Sequence, residues 1–285
     1  MDRLPAREAG LAVLVALIWG MGYVVAKGGM DHFPPILLMA LRFGVAALVL
    51  APWVGSPRGN LMRLIAISAV GATVQYSLTF SGVNGVDAGL AALVVQLEVP
   101  FLVLLGALLL GERPSLRKWL GIVVAFGGLA VIVGQVRLAG GWRPVLLLVG
   151  GGLSWALGQV MVRGIRDLGG LAVTAWIALL ATPQLFVMSA TFETGQVRAI
   201  REAGAGAWAA AIYLGLVMTA LGYWLWNSLV LRHEVGQVAP FLLLLPLFTV
   251  VGGIAFLGEA PELGHLSGGL IVLVGVALIS LDRAR

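Results

Sequence analysis

The chain has 285 residues, of which 60% are hydrophobic and 11% are charged, whereas soluble domains carry about 25% charged residues. So few polar side chains cannot cover a water-soluble protein, and the absence of cysteine excludes disulfides, cysteine-bound metals and cysteine nucleophiles. The net charge of +5 does not indicate nucleic-acid binding, because the basic residues stand between apolar runs, as they do beside membrane helices.

Ten apolar segments divide the chain at clusters of charge, proline and glycine. Each has a length close to the roughly 20 residues that a membrane-crossing helix needs. The segments are predicted at residues 9–26, 35–54, 62–83, 88–110, 116–134, 144–163, 171–189, 206–230, 236–256 and 264–281. Because backbone groups in lipid must be hydrogen-bonded within the protein, we predict an all-α membrane protein with ten transmembrane helices.

Lysine and arginine residues between the segments predict the orientation, because cytoplasmic loops carry an excess of both. Most of them lie on the cytoplasmic side if the N-terminus is placed there. The cytoplasmic group consists of Arg3, Arg7, Arg58, Arg63, Arg113, Arg117, Lys118, Arg163, Arg166, Arg232, Arg283 and Arg285, and the opposite group of Lys27, Arg137, Arg143, Arg198 and Arg201. We predict a multi-pass protein of the inner (plasma) membrane with both termini in the cytoplasm.

An internal repeat is the most informative signal in the sequence. Gly106–Val133 aligns with Gly253–Ser280 at an offset of 147 positions, and both contain the motif Leu-Gly-Glu-x-Pro-x-Leu. Each repeat holds five segments, an odd number, so the second copy must enter the membrane from the opposite side. We predict two inverted five-helix repeats, at 9–134 and 144–281, with a binding site between them near the membrane midplane.

These features resemble the EamA family of the drug/metabolite transporter superfamily. The resemblance rests on the two five-helix halves, on Trp19 and Trp155 in the first helix of each half, and on the Gly-Glu-x-Pro motifs at Glu112 and Glu259. It covers nearly the whole chain, about residues 9–281. It implies a ten-helix exporter of metabolites, and the chain is also similar to YddG-type bacterial exporters of aromatic amino acids.

Glu98 lies near the middle of the fourth segment. A charged group at that depth costs about 2.5–3.5 kcal/mol on insertion scales and indicates function. We predict that Glu98 binds a substrate ammonium group or a proton; the alternative is a structural carboxyl group held by a neighbouring helix. Pro100 and Pro246 interrupt corresponding helices of the two halves, which favours hinges beside a transport site, although simple packing kinks would also explain them.

Aromatic and polar side chains at helical spacing predict the walls of the cavity, because an apolar wall with few polar tips suits an amphiphilic small molecule. Tyr76 and Tyr223 are related by the offset of 147. Besides Glu98, the candidate substrate-binding residues are Trp19, Tyr23, Tyr76, Thr79, Trp155, Gln159, Tyr223 and Asn227. Arg42, inside the second segment, suggests a cavity or an ion pair, or a charge that reaches the outer surface, and a structural role is the preferred interpretation.

The sequence contains no nucleotide-binding motif and no His-Glu-x-x-His or Gly-x-Ser-x-Gly motif. We therefore expect a secondary transporter and not an enzyme, with no cofactor and no metal. The expected substrates are amino acids, with aromatic or large apolar ones preferred, exported by alternating access. The alternative is a multidrug exporter of lipophilic cations. The expected partners are the small-molecule substrate and the lipid bilayer, not nucleic acid, and the protein is expected to be a monomer or weak homodimer.

Overall fold

The structure is a computed structural model that describes residues 5–57, 59–138, 141–165, 167–230, 232 and 238–281. Ten long helices, named α1 to α10 in chain order, account for most of it. They are α1 (Ala6–Gly29), α2 (Pro35–Trp53), α3 (Leu61–Asn84), α4 (Ala88–Leu110), α5 (Leu116–Leu138), α6 (Trp142–Val162), α7 (Gly170–Phe192), α8 (Ala205–Trp226), α9 (Phe241–Leu257) and α10 (Leu263–Ser280).

Nine of these helices, counted within the described ranges, are long and apolar enough to cross a membrane, and α9 is a shorter apolar helix. The predicted all-α class and the number of apolar segments are therefore confirmed. Pro35 opens α2 at a position where a missing N–H costs nothing. Gly111 and Gly258 end α4 and α9 with φ angles of +68° and +67°. Residue 236, the predicted start of the ninth segment, lies outside the described residues.

The two halves of the chain are interleaved. The most extensive helix pairings each join one half to the other, with α5 on α10, α2 on α7, α3 on α6 and α1 on α9. Glycines allow the closest of these approaches: a Cβ on Gly121 would lie 2.7 Å from the carbonyl oxygen of Gly275, and one on Gly128 would lie 2.7 Å from that of Gly268. Residue numbers at these contacts rise along α5 while they fall along α10, so the two helices pack antiparallel.

Two helices contain π-helical segments at corresponding places. One occupies Ala69–Val74 in α3 and the other Leu214–Leu221 in α8. Tyr76 and Tyr223 each stand two residues after the end of such a segment. Single π-helical turns inside α-helices are often found at functional sites, so their position makes the two tyrosines candidates for a functional site.

Helices α4 and α9 are irregular near their centres. In α4, the regular helix ends with Ala88–Val95 and resumes with Glu98–Leu110. In α9, a 3-10 helix over Ala239–Leu244 changes into an α-helix over Leu245–Leu257. The two irregular points are separated by the repeat offset of 147. Backbone groups released at such points can face a cavity inside a membrane protein.

Candidate functional site

Three aromatic rings form a continuous stack inside the bundle. Tyr23 of α1 stacks on Phe80 of α3, with 5.8 Å between ring centroids and 9° between ring planes. Tyr76, one helical turn before Phe80, stacks on it at 5.7 Å and 8°. Phe43 of α2 meets Tyr76 edge-on at 4.8 Å. Such arrangements contribute beyond the area that they bury, and here they connect three helices of the first half.

Arg42 of α2 is buried against this stack, with 1% of its surface exposed. Its Nε donates a hydrogen bond to Oγ1 of Thr219 at 2.8 Å, inside the π-helical segment of α8. The guanidinium carbon lies 4.7 Å from the ring centroid of Tyr76 and 5.6 Å from that of Phe43. These cation–π contacts stabilise a charge that is removed from water. Of the alternatives that the sequence leaves open for Arg42, an ion pair is not found, because none of the ion pairs among the described residues includes it.

Glu98 begins the second segment of α4 and lies beside α6. A Cβ on Gly152 of α6 would be 3.4 Å from the Cγ of Glu98, so the glycine makes room for the acid. Glu98 forms no hydrogen bond or ion pair with any described residue. It lies close enough to Tyr23 and Tyr223 to interact with both electrostatically. An unpaired, only partly exposed carboxylate inside a helix bundle is available to bind a cation or a proton.

Trp19 connects α1 to α8. Its Nε1 donates a hydrogen bond to the carbonyl oxygen of Met218 at 3.1 Å. Its ring lies 5.3 Å from Tyr223 and 5.7 Å from Trp226, centroid to centroid. Tyr223 is also close enough to Tyr76 for their hydroxyl groups to interact. Aromatic residues from α1, α3 and α8 therefore meet between the two halves of the chain.

The remaining predicted binding residues lie elsewhere. Thr79 is fully buried and accepts a hydrogen bond from Nε2 of Gln75 at 3.0 Å, against α6. Trp155 and Gln159 share a face of α6 and are partly exposed, but no aromatic contact joins Trp155 to the ring stack within the described residues. The side chain of Asn227 lies outside the described part of the structure.

The predicted hinge prolines are both buried close to the irregular points of their helices. Pro100 is the third residue of the second segment of α4, and Pro246 is the second residue of the α-helical part of α9. Each therefore stands in a first helical turn, where a proline removes no hydrogen bond. The prolines mark where regular helix resumes and do not interrupt it.

The acidic residues of the two Gly-Glu-x-Pro turns each form an ion pair with the other half of the chain. Glu259 lies 3.8 Å from Nζ of Lys27 and accepts a hydrogen bond from the backbone N–H of Ala88 at 2.7 Å. Glu112 pairs with Arg163. Lys27 and Arg163 each follow the tryptophan of the first helix of their half, Trp19 or Trp155, by the same number of residues, and the two acids are equivalent as well, so the contacts correspond.

Two stretches of the chain, residues 7–134 and 142–281, each match the family model described as the EamA-like transporter family. The chain belongs to the EamA-like transporter family. Members of this family are transporters and not enzymes. Together with the apolar helices, the family establishes that this EamA-like transporter is a multi-pass protein of a lipid bilayer.

Several relatives of this EamA-like transporter have curated names. A protein of Salmonella typhimurium, named as a probable amino-acid metabolite efflux pump, is 29% identical over 280 residues, covering 95% of this chain and 93% of the relative. A probable terminal-alkyne amino-acid exporter of Streptantibioticus cattleyicolor is 30% identical and covers 96% and 94%. One crystal structure aligns with a TM-score of 0.66 at 19% identity, covering 97% of this chain and 96% of that one, which indicates a shared fold alone.

Sequence reasoning missed two members of the aromatic and polar cluster in this EamA-like transporter. Phe80 completes the stack between Tyr23 and Tyr76, and Thr219 holds Arg42. The spacing of Phe80 four residues after Tyr76 could have indicated the first. Nothing in the sequence indicates the second, because the contact joins residues that are 177 positions apart.

Proposed function

We propose that this EamA-like transporter exports amino acids across the inner membrane by secondary transport, with aromatic or large apolar ones preferred. The observation that carries the proposal is the carboxylate of Glu98, which lies at a helix break, forms no ion pair with the described residues and interacts electrostatically with Tyr23 and Tyr223. A substrate ammonium group can pair with this carboxylate. The surrounding rings can cover a large apolar side chain. The named relatives act, by their names, on amino-acid compounds, which supports the same substrate class.

The proposed architecture is a pair of inverted repeats, with both termini in the cytoplasm. Equivalent helices α5 and α10 pack antiparallel, as an axis in the membrane plane requires. The π-helical segments, the helix breaks and the left-handed glycines also recur at equivalent places. With short loops reversing the chain at each step, the C-terminal ends of α1 and α9 fall at one end of the bundle and those of α4 and α6 at the other.

Alternating access follows from that symmetry, because each half can adopt the conformation of the other. The Lys27–Glu259 pair joins the halves at the proposed outer end, and the Arg163–Glu112 pair joins them at the proposed inner end. Breaking one pair while the other holds would expose the midplane site to one side. The proposed site comprises Glu98, Trp19, Tyr23, Tyr76 and Tyr223 at its centre. The candidates Thr79, Trp155, Gln159 and Asn227 and the hinges Pro100 and Pro246 surround it.

The proposal is tested by counterflow of labelled phenylalanine in proteoliposomes. We expect the wild-type protein to transport phenylalanine. In Glu98→Gln the flux should fall by at least about tenfold, since an amide keeps the shape of the side chain but cannot pair with an ammonium group. The matched control is Glu202→Gln, an exposed acid paired with Arg198, and it should transport normally. Normal phenylalanine flux in a folded Glu98→Gln protein would remove Glu98 from the mechanism.

A lipophilic cation is the second candidate substrate, because an unpaired carboxylate among aromatic rings attracts cations of many shapes. Labelled tetraphenylphosphonium is therefore measured in the same proteoliposomes. Strong flux of this cation without any phenylalanine flux would replace the amino-acid proposal with multidrug export. Flux of phenylalanine alone would eliminate the cation alternative.

A further inference from the structure

The hydrogen bonds of Arg42 leave one edge of its guanidinium poorly satisfied. The Nε side is well bonded to Thr219 at 2.8 Å, and Thr219 is fixed in turn because it donates to the carbonyl oxygen of Leu214 at 2.9 Å. The opposite edge faces the thioether of Met39 at 3.8 Å and the hydroxyl of Tyr76 at 3.4 Å. The distance to Tyr76 exceeds the usual 2.7–3.2 Å range of N–H donors to oxygen, and a thioether sulfur is only a weak acceptor.

That edge is the part of an arginine which binds carboxylates. Two parallel N–H groups of a guanidinium match the two oxygens of a carboxylate, and this geometry accounts for the frequent use of arginine in carboxylate recognition. In this structure Arg42 pairs with no carboxylate of the described residues. The aromatic rings of Phe43, Tyr76 and Phe80 surround the charge instead, with centroids between 4.7 and 5.9 Å away.

A purely structural arginine at such a place is expensive. A buried charge costs several kcal/mol unless it is paired and fully hydrogen-bonded, and an apolar side chain of similar volume is often as stable or more stable. Arg42 nevertheless stands inside a transmembrane helix with one long contact to a hydroxyl oxygen and one contact to a weakly accepting sulfur. The arrangement resembles a binding group held ready by Thr219 more than a group that stabilises the fold.

Arg42 and Glu98 both act electrostatically on two tyrosines of the aromatic cluster. Tyr23 and Tyr223 each interact electrostatically with both charges. Tyr76, which covers the unsatisfied edge of Arg42, is itself partly exposed and interacts with Tyr223. A positive and a negative group are therefore available around one aromatic cluster, as the two ends of a zwitterion require.

We propose that Arg42 and the hydroxyl of Tyr76 bind the carboxylate of a zwitterionic α-amino acid whose ammonium group is bound by Glu98. The inference rests on the proposed function and adds its missing half, a partner for the carboxylate. The ring of Tyr76 covers the guanidinium in this structure, so substrate binding moves that ring aside and replaces long contacts with two short ones. Cations without a carboxylate gain nothing from Arg42 and are repelled by it.

The test compares substrates with and without the carboxylate in the full-length protein. Counterflow of labelled phenylalanine in proteoliposomes is competed with phenylalanine or with phenylalaninamide, which keeps the ammonium group and the ring but lacks the carboxylate. Wild type should prefer phenylalanine by at least about tenfold. Arg42→Gln should lose that preference, with weaker competition by phenylalanine and stronger competition by phenylalaninamide, which Arg42 no longer repels. Arg198→Gln, at an exposed arginine, is the matched control and should keep the wild-type preference.

A preference of tenfold or more that survives in folded Arg42→Gln protein overturns the inference. If that variant does not fold, Tyr76→Phe decides, because it keeps the ring and removes one group that binds the carboxylate. A preference at least threefold lower in Tyr76→Phe supports the inference, and an unchanged preference overturns it. Absence of phenylalanine flux in wild type overturns the proposed function and this inference together. Flux with an undiminished preference overturns this inference alone.

Discussion

The two Gly-Glu-x-Pro turns are nearly identical in backbone conformation but differ in what surrounds their acidic side chains. Gly111 and Gly258 have φ angles of +68° and +67°, and each acid donates its backbone N–H to a glycine carbonyl of its own helix, at 3.2 and 3.1 Å. The exposure of the ion pairs is different. The side chains of Arg163 and Glu112 are 49% and 48% exposed, whereas those of Lys27 and Glu259 are 24% and 7% exposed.

Additional backbone hydrogen bonds surround the Glu259 pair. Glu259 accepts a hydrogen bond from the N–H of Ala88, and Lys27 donates to the carbonyl oxygens of Val83 and Val86. The pair thereby connects α1, the turn between α3 and α4, and the turn after α9. The Glu112 pair has no comparable set of backbone partners among the described residues. The repeated motif thus determines the turn, and the surroundings determine how many partners hold each acidic side chain.

The largest effect expected from this comparison is the accessibility of the two turns from different sides of the membrane. The chain has no cysteine, so Arg113→Cys and Ala260→Cys each introduce a single thiol at an exposed, repeat-equivalent position. An impermeant maleimide added to intact cells should label Ala260→Cys and leave Arg113→Cys unlabelled until the membrane is opened. Labelling of both from one side would rule out the inverted repeat.

Removing the acid should destabilise the two ends unequally. Glu259→Gln leaves the ammonium group of Lys27 without its partner in a mostly buried place, and should lower the free energy of unfolding by about 3 kcal/mol. Glu112→Gln removes an exposed pair and should lower it by less than about 1 kcal/mol. Equilibrium unfolding in mixed micelles measures both variants. Equal losses would show that burial does not distinguish the pairs.

Exchanging the charges within a pair separates the ion pair from its backbone contacts. Lys27→Glu combined with Glu259→Lys turns a carboxylate towards the carbonyl oxygens of Val83 and Val86, so about 2 kcal/mol of destabilisation should remain. Glu112→Arg combined with Arg163→Glu meets no such backbone groups and should stay within about 0.5 kcal/mol of wild type. The same unfolding measurement applies, and full recovery at the Glu259 end would mean that its backbone contacts contribute nothing.

The smallest expected difference between the two ends concerns the left-handed glycines of the turns. Gly111→Ala and Gly258→Ala each place a side chain on a left-handed residue, at a cost of about 1 kcal/mol. A Cβ at either position would meet no atom within 4 Å, so only backbone strain contributes. The two losses should agree within error. A much larger loss at Gly258 would show that the turns differ in conformation as well as in surroundings.

Most of the fold could be predicted because the local amino-acid composition indicates where membrane helices lie. The ten apolar segments, the two halves and the acidic turns all follow from hydropathy and internal similarity. Predicting the interleaved packing of the halves was not possible. It depends on close approaches such as that of Gly121 to Gly275, and many other glycines of the chain carry the same local signal without making such a contact.

The candidate site was only partly predictable for a similar reason. Glu98 could be recognised because the free-energy cost of a charged group in lipid follows from its residue type and its depth in the segment alone. The contact of Arg42 with Thr219 depends on the distance between α2 and α8, which no local pattern encodes. Thr79 fitted the helical spacing of a cavity wall but faces α6 with no exposed surface, because spacing gives a face of a helix and not its neighbour.

The π-helical segments have a consequence for insertions and deletions. A π-helical turn arises when one residue is added to an α-helix, and each residue of an α-helix turns the chain by about 100°. Deleting one residue within Leu214–Leu221 would restore regular helix and rotate Tyr223 away from Tyr76 by about that angle. Ala69–Val74 contains the corresponding wide turn, so deleting one residue there would rotate Tyr76 relative to Tyr223 in the same way.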